Sequence, residues 1–272
     1  MPEGDTILRT AINLRKVLPG REIVAATGRR ELMEPESLDG RMVCHIEARG
    51  KHLLIHFDDA RVLHSHMGMT GSWHIYRHDS RWQRPVSHAV FTMKNSDWVV
   101  VCFTPKMIKL ITNRELMRDS YLQRLGPDIL GPPIADDVVI ARFRTQDVIT
   151  IGEAVMNQTV VCGIGNIYKS EILFAERIHP LTRVGDLSDD QLIRIRDRAV
   201  DLMRKNIYTD ERRTRMRGDG FEFWAYGRNG EPCLVCGTRM ELIRQGDLAR
   251  TTCFCPECQH VIARESPSPP RS

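Results

Sequence analysis

The chain lacks the hydrophobic segments that would place it in or across a membrane. No window of its 272 residues approaches the ~18 consecutive apolar residues of a transmembrane helix. The first ten residues, MPEGDTILRT, have neither the basic stretch nor the apolar stretch of a signal peptide. These absences predict a soluble intracellular protein, cytoplasmic or associated with the nucleoid, that makes no contact with a membrane.

The chain also has little excess of charge of either sign. Its 39 basic and 35 acidic residues leave a formal net charge of +4. Charge alone therefore identifies no partner, and a polyanion would have to bind a local basic face. The length suffices for one large domain or for two or three small ones.

Four of the eight cysteines form two Cys-x-x-Cys pairs near the C-terminus. In a chain without a secretion signal, paired cysteines are typical of metal sites and not of disulfides. Two pairs separated by 18 residues can supply four thiolates to one tetrahedral zinc ion, with a hairpin between them. Cys253 belongs to neither pair and is not expected to bind the metal. We predict a closed structural zinc site made by Cys233, Cys236, Cys255 and Cys258.

The N-terminal part has the pattern of one helix followed by many strands. Asp5 or Thr6 can cap a helix whose apolar positions recur every three or four residues and which Pro19-Gly20 ends. Short apolar segments bounded by turn residues follow, as in a β-sandwich or barrel. They cover residues 21–26, 41–48, 51–57, 61–67, 71–77, 88–93, 98–103 and 108–112.

The C-terminal part has a different composition. A segment rich in proline and glycine, from about residue 118 to 136, is typical of an interdomain linker. A capping box at Ser188 and Gln191 then predicts a helix that runs to about Lys205. The polar end of the chain cannot form a core and is expected to be disordered. We divide the chain into an N-terminal domain 1–125, a linker 126–136, a helical domain 137–225, a zinc finger 226–262 and a disordered tail 263–272.

Gly163 and Gly165 directly precede a predicted helix that begins near Asn166. Backbone amides at a helix N-terminus can bind a phosphate, and Asn166 can add a side-chain donor. A tight turn between helices explains the two glycines equally well. The segment lacks the third glycine of a dinucleotide fingerprint and the lysine-serine pair of a P-loop.

Two further patterns have less specific interpretations. A run with arginines at 212, 213, 215 and 217 precedes the aromatic segment FEFWAY. Such a segment can bind the backbone and bases of a nucleic acid, but it is also typical of a solvated face beside core aromatic residues. We therefore assign no site to it. His45-Ile46-Glu47 and Pro232-Cys233-x-x-Cys236 together match the letter of a zinc deaminase signature. Those two parts lie far apart in the chain, and a deaminase keeps one zinc position open for water, so chance is the preferred explanation.

Five segments together carry a family resemblance. They are MPEGDT at the start, RGKHLLI around Lys51, HMGMTGSW around Met69, NQTVVCGIGNIYKSEILF around Asn166 and the terminal EPCLVCG with RTTCFCPECQ. In this order and spacing they resemble the formamidopyrimidine-DNA glycosylase and endonuclease VIII family over nearly the whole chain. The resemblance implies an α+β fold: an N-terminal β-sandwich with a leading helix, then a helix-two-turn-helix domain with a C-terminal zinc finger. It also implies a base-excision repair enzyme that binds damaged DNA as a monomer, without a small-molecule cofactor.

The resemblance assigns the chemistry to the N-terminus. Pro2, freed by removal of Met1, would attack C1′ of a damaged nucleotide extruded from the duplex, and its secondary amine would give a cationic iminium after base loss. Glu3 resembles the general acid that protonates the sugar ring oxygen. The iminium would then allow strand cleavage by β- and δ-elimination.

Four further residues resemble the DNA contacts of the family. Lys51 matches a lysine that contacts a phosphate at the lesion, and we group it with the catalytic residues. Asn166 and Arg250 match residues that bind the flanking phosphates, and the zinc site would make the hairpin rigid enough to place Arg250. Met69 resembles the side chain that fills the space left by the extruded base, although a methionine on a strand is more often part of a core.

The chain departs from the family pattern in several places. Thr6 stands where many members carry a second glutamate, and a hydroxyl cannot replace a carboxylate as a base. Lys106 and Ile108 stand where purine-specific members have arginine and phenylalanine. The segment 217–230 is short compared with the capping loop of those members, and GRNGEPCLVCG is more like endonuclease VIII. We therefore expect oxidised pyrimidines as the preferred substrates.

Two alternatives remain beside this interpretation. The first is a non-catalytic protein of the same fold that binds damaged DNA and uses neither Pro2 nor Glu3. The second, less favoured, is a zinc base deaminase that depends on Glu47. Strand cleavage separates the enzyme from the binding protein, and four sulfur ligands on the zinc would exclude the deaminase.

Overall fold

A leading helix and a set of antiparallel strands form the first of two units in this computed structural model. The structure describes residues 1–29, 35–209 and 211–261, and the chain divides into Met1–Leu125 and Gly126–Ser272. The predicted tail, residues 263–272, lies outside the described residues. The first unit contains α1 (Gly4–Arg15), β1 (Ala25–Gly28), β2 (Val43–Arg49), β3 (His52–Phe57), β4 (Arg61–His66), β5 (Ser72–Arg77), β6 (Ala89–Lys94), β7 (Trp98–Phe103), β8 (Met107–Thr112), α2 (Asn113–Arg118) and α3 (Ser120–Gln123).

Helix α1 begins at Gly4, and its N-cap is Glu3, two residues before the earlier of the two predicted caps. Glu3 has an extended backbone, with φ −123°, and precedes the helix without a capping hydrogen bond from its side chain. Asp5 and Thr6 lie within the first turn, so the prediction that one of them caps the helix is wrong. An acidic residue in that turn still suits the positive end of the helix dipole. The helix ends at Arg15, before Pro19-Gly20.

The strands form two four-stranded antiparallel sheets. One sheet has the order β1-β6-β7-β5 and the other β2-β3-β4-β8. Their apolar side chains and the buried face of α1 share one core, which includes Ile7, Leu14, Leu53, Phe91 and Val100. The predicted β-sandwich with a leading helix is confirmed, because apolar side chains of both sheets and of α1 pack into this one core.

The second unit is helical and ends in a small β-hairpin. Its elements are α4 (Asp136–Arg144), α5 (Ile151–Ala154), α6 (Asn166–Ala175), α7 (Asp189–Arg204), β9 (Glu241–Gln245) and β10 (Arg250–Phe254). The predicted capping box is present at the start of α7, where the Ser188 hydroxyl accepts from the Gln191 amide and the Gln191 side chain accepts from the Ser188 amide. Tyr168 and Ile172 of α6 are buried in the helical core. The predicted α+β architecture is therefore confirmed.

Within the described ranges, none of the helices combines the length and the apolar character required to cross a membrane.

Candidate functional site

Pro2 and Glu3 form a short lead in front of α1. Pro2 is half-buried, and Glu3 is only 1% exposed. The Glu3 carbonyl accepts a hydrogen bond from the Ile7 amide at 3.1 Å, which joins the lead to the first helical turn. At the other end of the helix, the Arg15 guanidinium donates to the Ile46 carbonyl on β2 at 2.7 and 2.9 Å. The helix therefore fixes the N-terminal residues to the sandwich.

Thr6 is the residue at which the resemblance leads us to expect a second glutamate. Its hydroxyl donates to the Asp5 carboxylate at 3.3 Å, and Asp5 is buried. A hydroxyl at this position can supply no carboxylate base. The first turn of α1 therefore differs chemically from the pattern of the family that the sequence resembles.

Lys51 lies in the two-residue turn between β2 and β3, not on a strand. Arg49 pairs with His52 across this hairpin, and Gly50 has φ +57°. A left-handed residue at the first turn position is what a tight hairpin of this kind requires. The turn places the half-buried lysine at the end of the hairpin.

Three histidines on β3 and β4 lie near this turn. His52 Nδ1 is 2.9 Å from His64 Nε2, and the His52 and His66 ring centroids are 4.9 Å apart. Burial, followed by the charges of His66 and His64, lowers the pKa of His52 to about 3. Burial also lowers the pKa values of His64 and His66 to about 4. The three imidazoles are neutral at physiological pH and add no charge beside Lys51.

Met69 lies on the connection between β4 and β5, where its side chain is 67% exposed. This connection is held from several sides. The Arg84 guanidinium donates to the Thr70 carbonyl at 3.0 Å and to the Ser72 hydroxyl at 2.9 Å, and Thr104 also donates to the Thr70 carbonyl. Met69 is thus not a core residue. An exposed apolar side chain on an anchored turn is suited to insertion between bases.

Asn166 and Arg250 begin two elements of the second unit that pack together, α6 and β10. Lys169 on α6 donates through Nζ to the Thr251 carbonyl on β10 at 3.4 Å. Among the described residues, Asn166 Oδ1 and Arg250 Nε are buried without a hydrogen-bond partner. Buried polar groups are normally paired, and an arginine N–H suits a phosphate oxygen. The Arg250 N–H therefore suits a phosphate oxygen, whereas Asn166 Oδ1 is an acceptor, so that only the side-chain N–H groups of Asn166 can contact a phosphate.

Gln245 anchors the hairpin to the helical body. Its Nε2 donates to the Thr150 hydroxyl at 2.9 Å and to the Pro180 carbonyl at 3.0 Å. Its Oε1 accepts from the Thr252 hydroxyl at 2.7 Å. Because Gln245 pairs with Arg250 across the hairpin, these bonds fix the strand pair that presents Arg250.

The four predicted cysteines converge in the second unit. Their Sγ atoms all lie within 4.8 Å of one another, with separations of 3.9 Å for Cys233 and Cys258, 3.5 Å for Cys236 and Cys255, and 3.4 Å for Cys236 and Cys258. A tetrahedral zinc with Zn–S bonds of about 2.3 Å requires S···S separations of about 3.8 Å. The four thiols fit a structural zinc ion, as predicted.

The surroundings of the thiols support the same assignment. The Val235 amide donates to Cys233 Sγ at 3.5 Å and the Cys258 amide to Cys255 Sγ at 3.4 Å, so neighbouring backbone groups orient the sulfurs. Four sulfur ligands leave no open position for a water. Among the described residues the cluster consists of these four thiols, whereas a deaminase site has three protein ligands, so the cluster argues against the deaminase alternative.

The arginine run near residue 215 differs from the solvated face considered above. Arg215 is only 5% exposed; its guanidinium pairs with Asp219 and lies 4.8 Å from the centroid of the Trp224 ring. Arg217 lies 5.4 Å from the centroid of the same ring. In this run, therefore, the guanidinium groups of Arg215 and Arg217 stack on the Trp224 ring.

The structure brings the four thiols into one site and joins the elements that begin with Asn166 and Arg250. Pro2, Glu3, Lys51 and Met69 all belong to the first unit. No sequence pattern identifies the residues that hold these groups in place. Those residues are Arg84, Glu171 and Gln245, whose partners are turn carbonyls, amides and hydroxyls distant in the chain.

Three family models match consecutive parts of the chain. They are the formamidopyrimidine-DNA glycosylase N-terminal domain over residues 1–105, the formamidopyrimidine-DNA glycosylase H2TH domain over residues 125–217, and the zinc finger found in FPG and IleRS over residues 230–261. Together they cover most of the chain. The last match coincides with the four-cysteine cluster.

The relatives found are similar to this chain over almost their full length. A probable endonuclease 8 2 of Streptomyces coelicolor is 34% identical, covering 95% of this chain and 94% of the relative. The DNA-(apurinic or apyrimidinic site) lyase Nei2 of Mycolicibacterium smegmatis is 32% identical, covering 95% and 99%. The fold is similar to Lactococcus lactis Fpg in complex with abasic-site DNA, with a TM-score of 0.80 at 24% identity over 95% of this chain and 99% of that one.

Proposed function

The chain belongs to the formamidopyrimidine-DNA glycosylase and endonuclease 8 family, and we propose that it acts in base excision repair as a bifunctional DNA glycosylase and apurinic/apyrimidinic lyase. The observation that carries this proposal is the N-terminus. Pro2 directly precedes α1, with a buried Glu3 beside it, in a chain whose first 105 residues match the N-terminal domain of the family. Relatives of this length and similarity are named endonuclease 8 and abasic-site lyase.

The reaction starts with the amine of Pro2 once Met1 has been removed. The nitrogen bonds to C1′ of the damaged nucleotide, the base leaves, and Glu3 protonates the ring oxygen as the sugar opens. The resulting iminium withdraws electrons, so that the C2′ proton is lost and the 3′ phosphate is expelled. Loss of a further proton expels the 5′ phosphate. An α-amino group has an ordinary pKa of about 7.7–8.0, so a useful fraction is neutral at physiological pH.

Four side chains hold the damaged strand in this proposal. Lys51 contacts a phosphate at the lesion from the β2–β3 turn. Asn166 and Arg250 bind the flanking phosphates through their N–H groups, and the unpaired buried Nε of Arg250 supports this role. Exposed Met69 fills the space left by the extruded base. Zinc supplies no step of the reaction; the four cysteines bind it to stiffen the second unit around Arg250.

Oxidised pyrimidines are the proposed substrates. Ile108 stands where purine-specific members have phenylalanine. In this chain it is buried in the sandwich core, where it cannot contact DNA. Lys106, by contrast, is exposed. The relatives named endonuclease 8 favour the same branch. Comparing excision of an oxidised pyrimidine and an oxidised guanine in one duplex context tests this preference.

We also propose a function for each of the domains that the sequence predicts. Residues 1–125 carry out catalysis, 126–136 link the domains, 137–225 bind DNA, and 226–262 form the zinc finger. In this proposal the enzyme acts inside the cell as a monomer, without a small-molecule cofactor. Sedimentation of the active protein tests the monomer.

A cleavage assay tests the proposed activity. We expect the purified protein to cut an oligonucleotide at an oxidised pyrimidine, and Pro2→Gly to retain binding while losing cleavage. A protein with an N-terminal tag left in place provides a second control, because the tag blocks the amine and changes no residue. Specific binding without cleavage by the untagged wild type would favour the non-catalytic alternative.

A further inference from the structure

The segment between β5 and β6, residues 78–88, takes no part in the mechanism proposed above. It lies against the outer face of its sheet. Trp73 and Ile75 of β5 pack against the sandwich core, so His74 and Tyr76 lie on the opposite face, because successive side chains of a strand alternate. Tyr76 accordingly belongs to a separate apolar cluster outside the core.

Trp82 attaches the segment to this outer face. Its ring stacks on Tyr76, with centroids 5.9 Å apart and planes at 18°, and it meets the buried Phe103 edge-on at 5.8 Å. The Gln83 backbone amide donates to the Tyr76 hydroxyl at 3.0 Å. Aromatic packing and a hydrogen bond therefore fix the two residues that directly precede Arg84.

A series of polar contacts runs from Tyr76 along β5 and ends at Arg84. His74 Nδ1 lies 2.9 Å from the Tyr76 hydroxyl, and His74 Nε2 lies 2.9 Å from the Ser72 hydroxyl. Arg84 Nη1 donates to the same Ser72 hydroxyl at 2.9 Å. The half-buried guanidinium is thus held on one side by the strand and on the other by the fixed backbone of Gln83.

Two donors converge on the Thr70 carbonyl, which directly follows Met69. Arg84 Nη1 donates to it at 3.0 Å and the Thr104 hydroxyl at 3.3 Å, so both lone pairs of the carbonyl oxygen are used. The Thr104 amide in turn donates to the His88 carbonyl at 3.1 Å. The segment is therefore joined to the surroundings of Met69 both through Arg84 and through its last residue.

Thr104 has a backbone conformation that indicates function. Its φ is +39°, in the left-handed region that a β-branched residue rarely adopts. Such a conformation persists only where the surroundings impose it, and it is most frequent at functional sites. In this chain it directs a hydroxyl to the turn that carries Met69.

The turn Met67–Gly71 is itself closely packed. The Gly71 amide donates to the Met67 carbonyl at 3.1 Å. A Cβ on Gly71 would come within 2.5 Å of that carbonyl and 2.9 Å of the Pro105 Cα. The backbone of the turn is thus tightly enclosed, whereas the Met69 side chain is 67% exposed.

We propose that Arg84 is a positioning residue for Met69: by holding the Thr70 carbonyl, it fixes the turn Met67–Gly71 so that the Met69 side chain enters the space left by the extruded base. This inference rests on the role of Met69 in the proposed function. A side chain on a mobile turn would lose conformational entropy on insertion, and a turn that is ordered beforehand avoids much of that loss.

Substitution of Arg84 tests the positioning role. Arg84→Met removes the donors but keeps an apolar chain beside Phe103, whose ring centroid lies 5.6 Å from the guanidinium carbon. We expect single-turnover excision of an oxidised pyrimidine from a duplex, by the zinc-loaded full-length enzyme, to slow by about tenfold. Arg77→Met is the matched control, because Arg77 is an exposed arginine of β5 that lies over the Trp98 ring; its rate should stay within about twofold of wild type.

A double-mutant cycle with Met69→Ala separates positioning from other roles. If Arg84 acts through Met69, adding Arg84→Met to Met69→Ala should slow excision by no more than about twofold further. Losses that multiply would show that Arg84 contacts DNA itself or supports the fold in general, and they would overturn the proposal. A wild-type rate in the single variant Arg84→Met would overturn it as well.

Thr104→Gly provides a second variant in case Arg84→Met unfolds. Glycine adopts φ +39° without strain, so the substitution removes the hydroxyl bonded to Thr70 while favouring the native backbone. Thermal unfolding should stay near wild type while duplex excision slows severalfold. This loss should also disappear in the Met69→Ala background, and a loss that persists there would contradict positioning through the turn.

Fluorescence measures insertion without chemistry. 2-Aminopurine is placed opposite the lesion, where its emission rises when the damaged base leaves the stack, and the duplex is saturated with Pro2→Gly protein. Adding Arg84→Met should remove most of this rise, and an unchanged rise would overturn the positioning role. If the wild type cleaves no lesion duplex but the rise still depends on Arg84, the proposed activity fails and the positioning role stands. The two failures are therefore distinguishable.

Discussion

The side-chain amide of Gln245 lies so close to Gly152 that a Cβ on residue 152 would come within 2.4 Å of Gln245 Oε1. Glycine at 152 leaves the space in which the amide reaches Thr150, Pro180 and Thr252. The Gln245 side chain thus packs the zinc-finger hairpin against α5, the helix that contains Gly152.

We therefore predict that Gly152→Ala displaces Gln245 and weakens the hold on the hairpin. The flexible amide can move away, but its three hydrogen bonds are then lost, at a cost of about 1 kcal/mol each. Thermal unfolding should shift to lower temperature and DNA affinity should fall, because Arg250 loses its support. The measurements are differential scanning calorimetry and fluorescence anisotropy with an abasic-site duplex.

A double-mutant cycle provides the control for this prediction. With Gln245→Ala already present, the added methyl group at residue 152 meets no amide, and alanine is favoured over glycine in a helix by about 1 kcal/mol. Gly152→Ala should then be neutral or stabilising. An unchanged penalty in that background would show that Gln245 is not the reason for the glycine.

Arg250→Ala should weaken binding to DNA of every sequence to a similar extent. A contact with a phosphate releases counterions and reads no base, so the slope of log K against log salt should decrease in magnitude by about 1. Titrations of lesion duplexes in two or more sequence contexts, each at several salt concentrations, measure this slope. Loss of affinity in one context only would contradict the assignment of Arg250 to a phosphate.

Zinc should be bound at one ion per chain and should be lost with any of its four ligands. Cys236→Ser is expected to abolish zinc binding and DNA binding together, since the metal holds the hairpin that carries Arg250. Cys253→Ala, which changes a neighbouring cysteine outside the cluster, should keep the ion. Elemental analysis of the purified proteins measures the ratio, and zinc retained by Cys236→Ser would refute the four-thiol site.

The buried histidines should make the protein less stable as the solution becomes acidic. The folded pKa values of His52, His64 and His66 are about 3, 4 and 4, below the ordinary value of 6.5, so the unfolded state binds protons first. Their contribution is complete above about pH 6.5 and is lost as the pH falls towards 4.

Chemical unfolding of His64→Gln from pH 7.5 to 4.5 tests this dependence. Its stability should fall less steeply with acid than that of wild type, by up to about 1.4 kcal/mol per pH unit. His88→Gln, at an exposed position, is the control and should follow wild type. Parallel curves for all three proteins would contradict a role of His64 in the acid sensitivity.

The parts of this structure that the sequence predicts are those with local patterns. The strand from Trp98 to Phe103 and the helix that begins at Asn166 follow from runs of apolar residues and from glycines before a helix. The zinc ligands follow from fixed spacing. The cap of α1 was predicted wrongly, because capping residue types at positions 5 and 6 do not reveal that the backbone becomes helical at Gly4.

The residues that position the candidate site could not be predicted in this way. Gln245 and Thr150 are 95 positions apart, and Tyr226 and Glu171 are 55 apart. Such pairs depend on tertiary packing and leave no periodic trace in the sequence. An isolated glutamate or glutamine in a helix or hairpin is read as a surface residue until its partners are seen.

Borohydride trapping tests the central claim most directly. The Met1-processed wild type and Pro2→Gly are each incubated with duplexes carrying an oxidised pyrimidine, an oxidised guanine or an abasic site, because borohydride reduces an iminium to a stable amine. We predict a covalent complex with wild type, strongest on the pyrimidine among the base lesions, and its disappearance in Pro2→Gly. Specific binding of these duplexes without any trapped species would contradict the account.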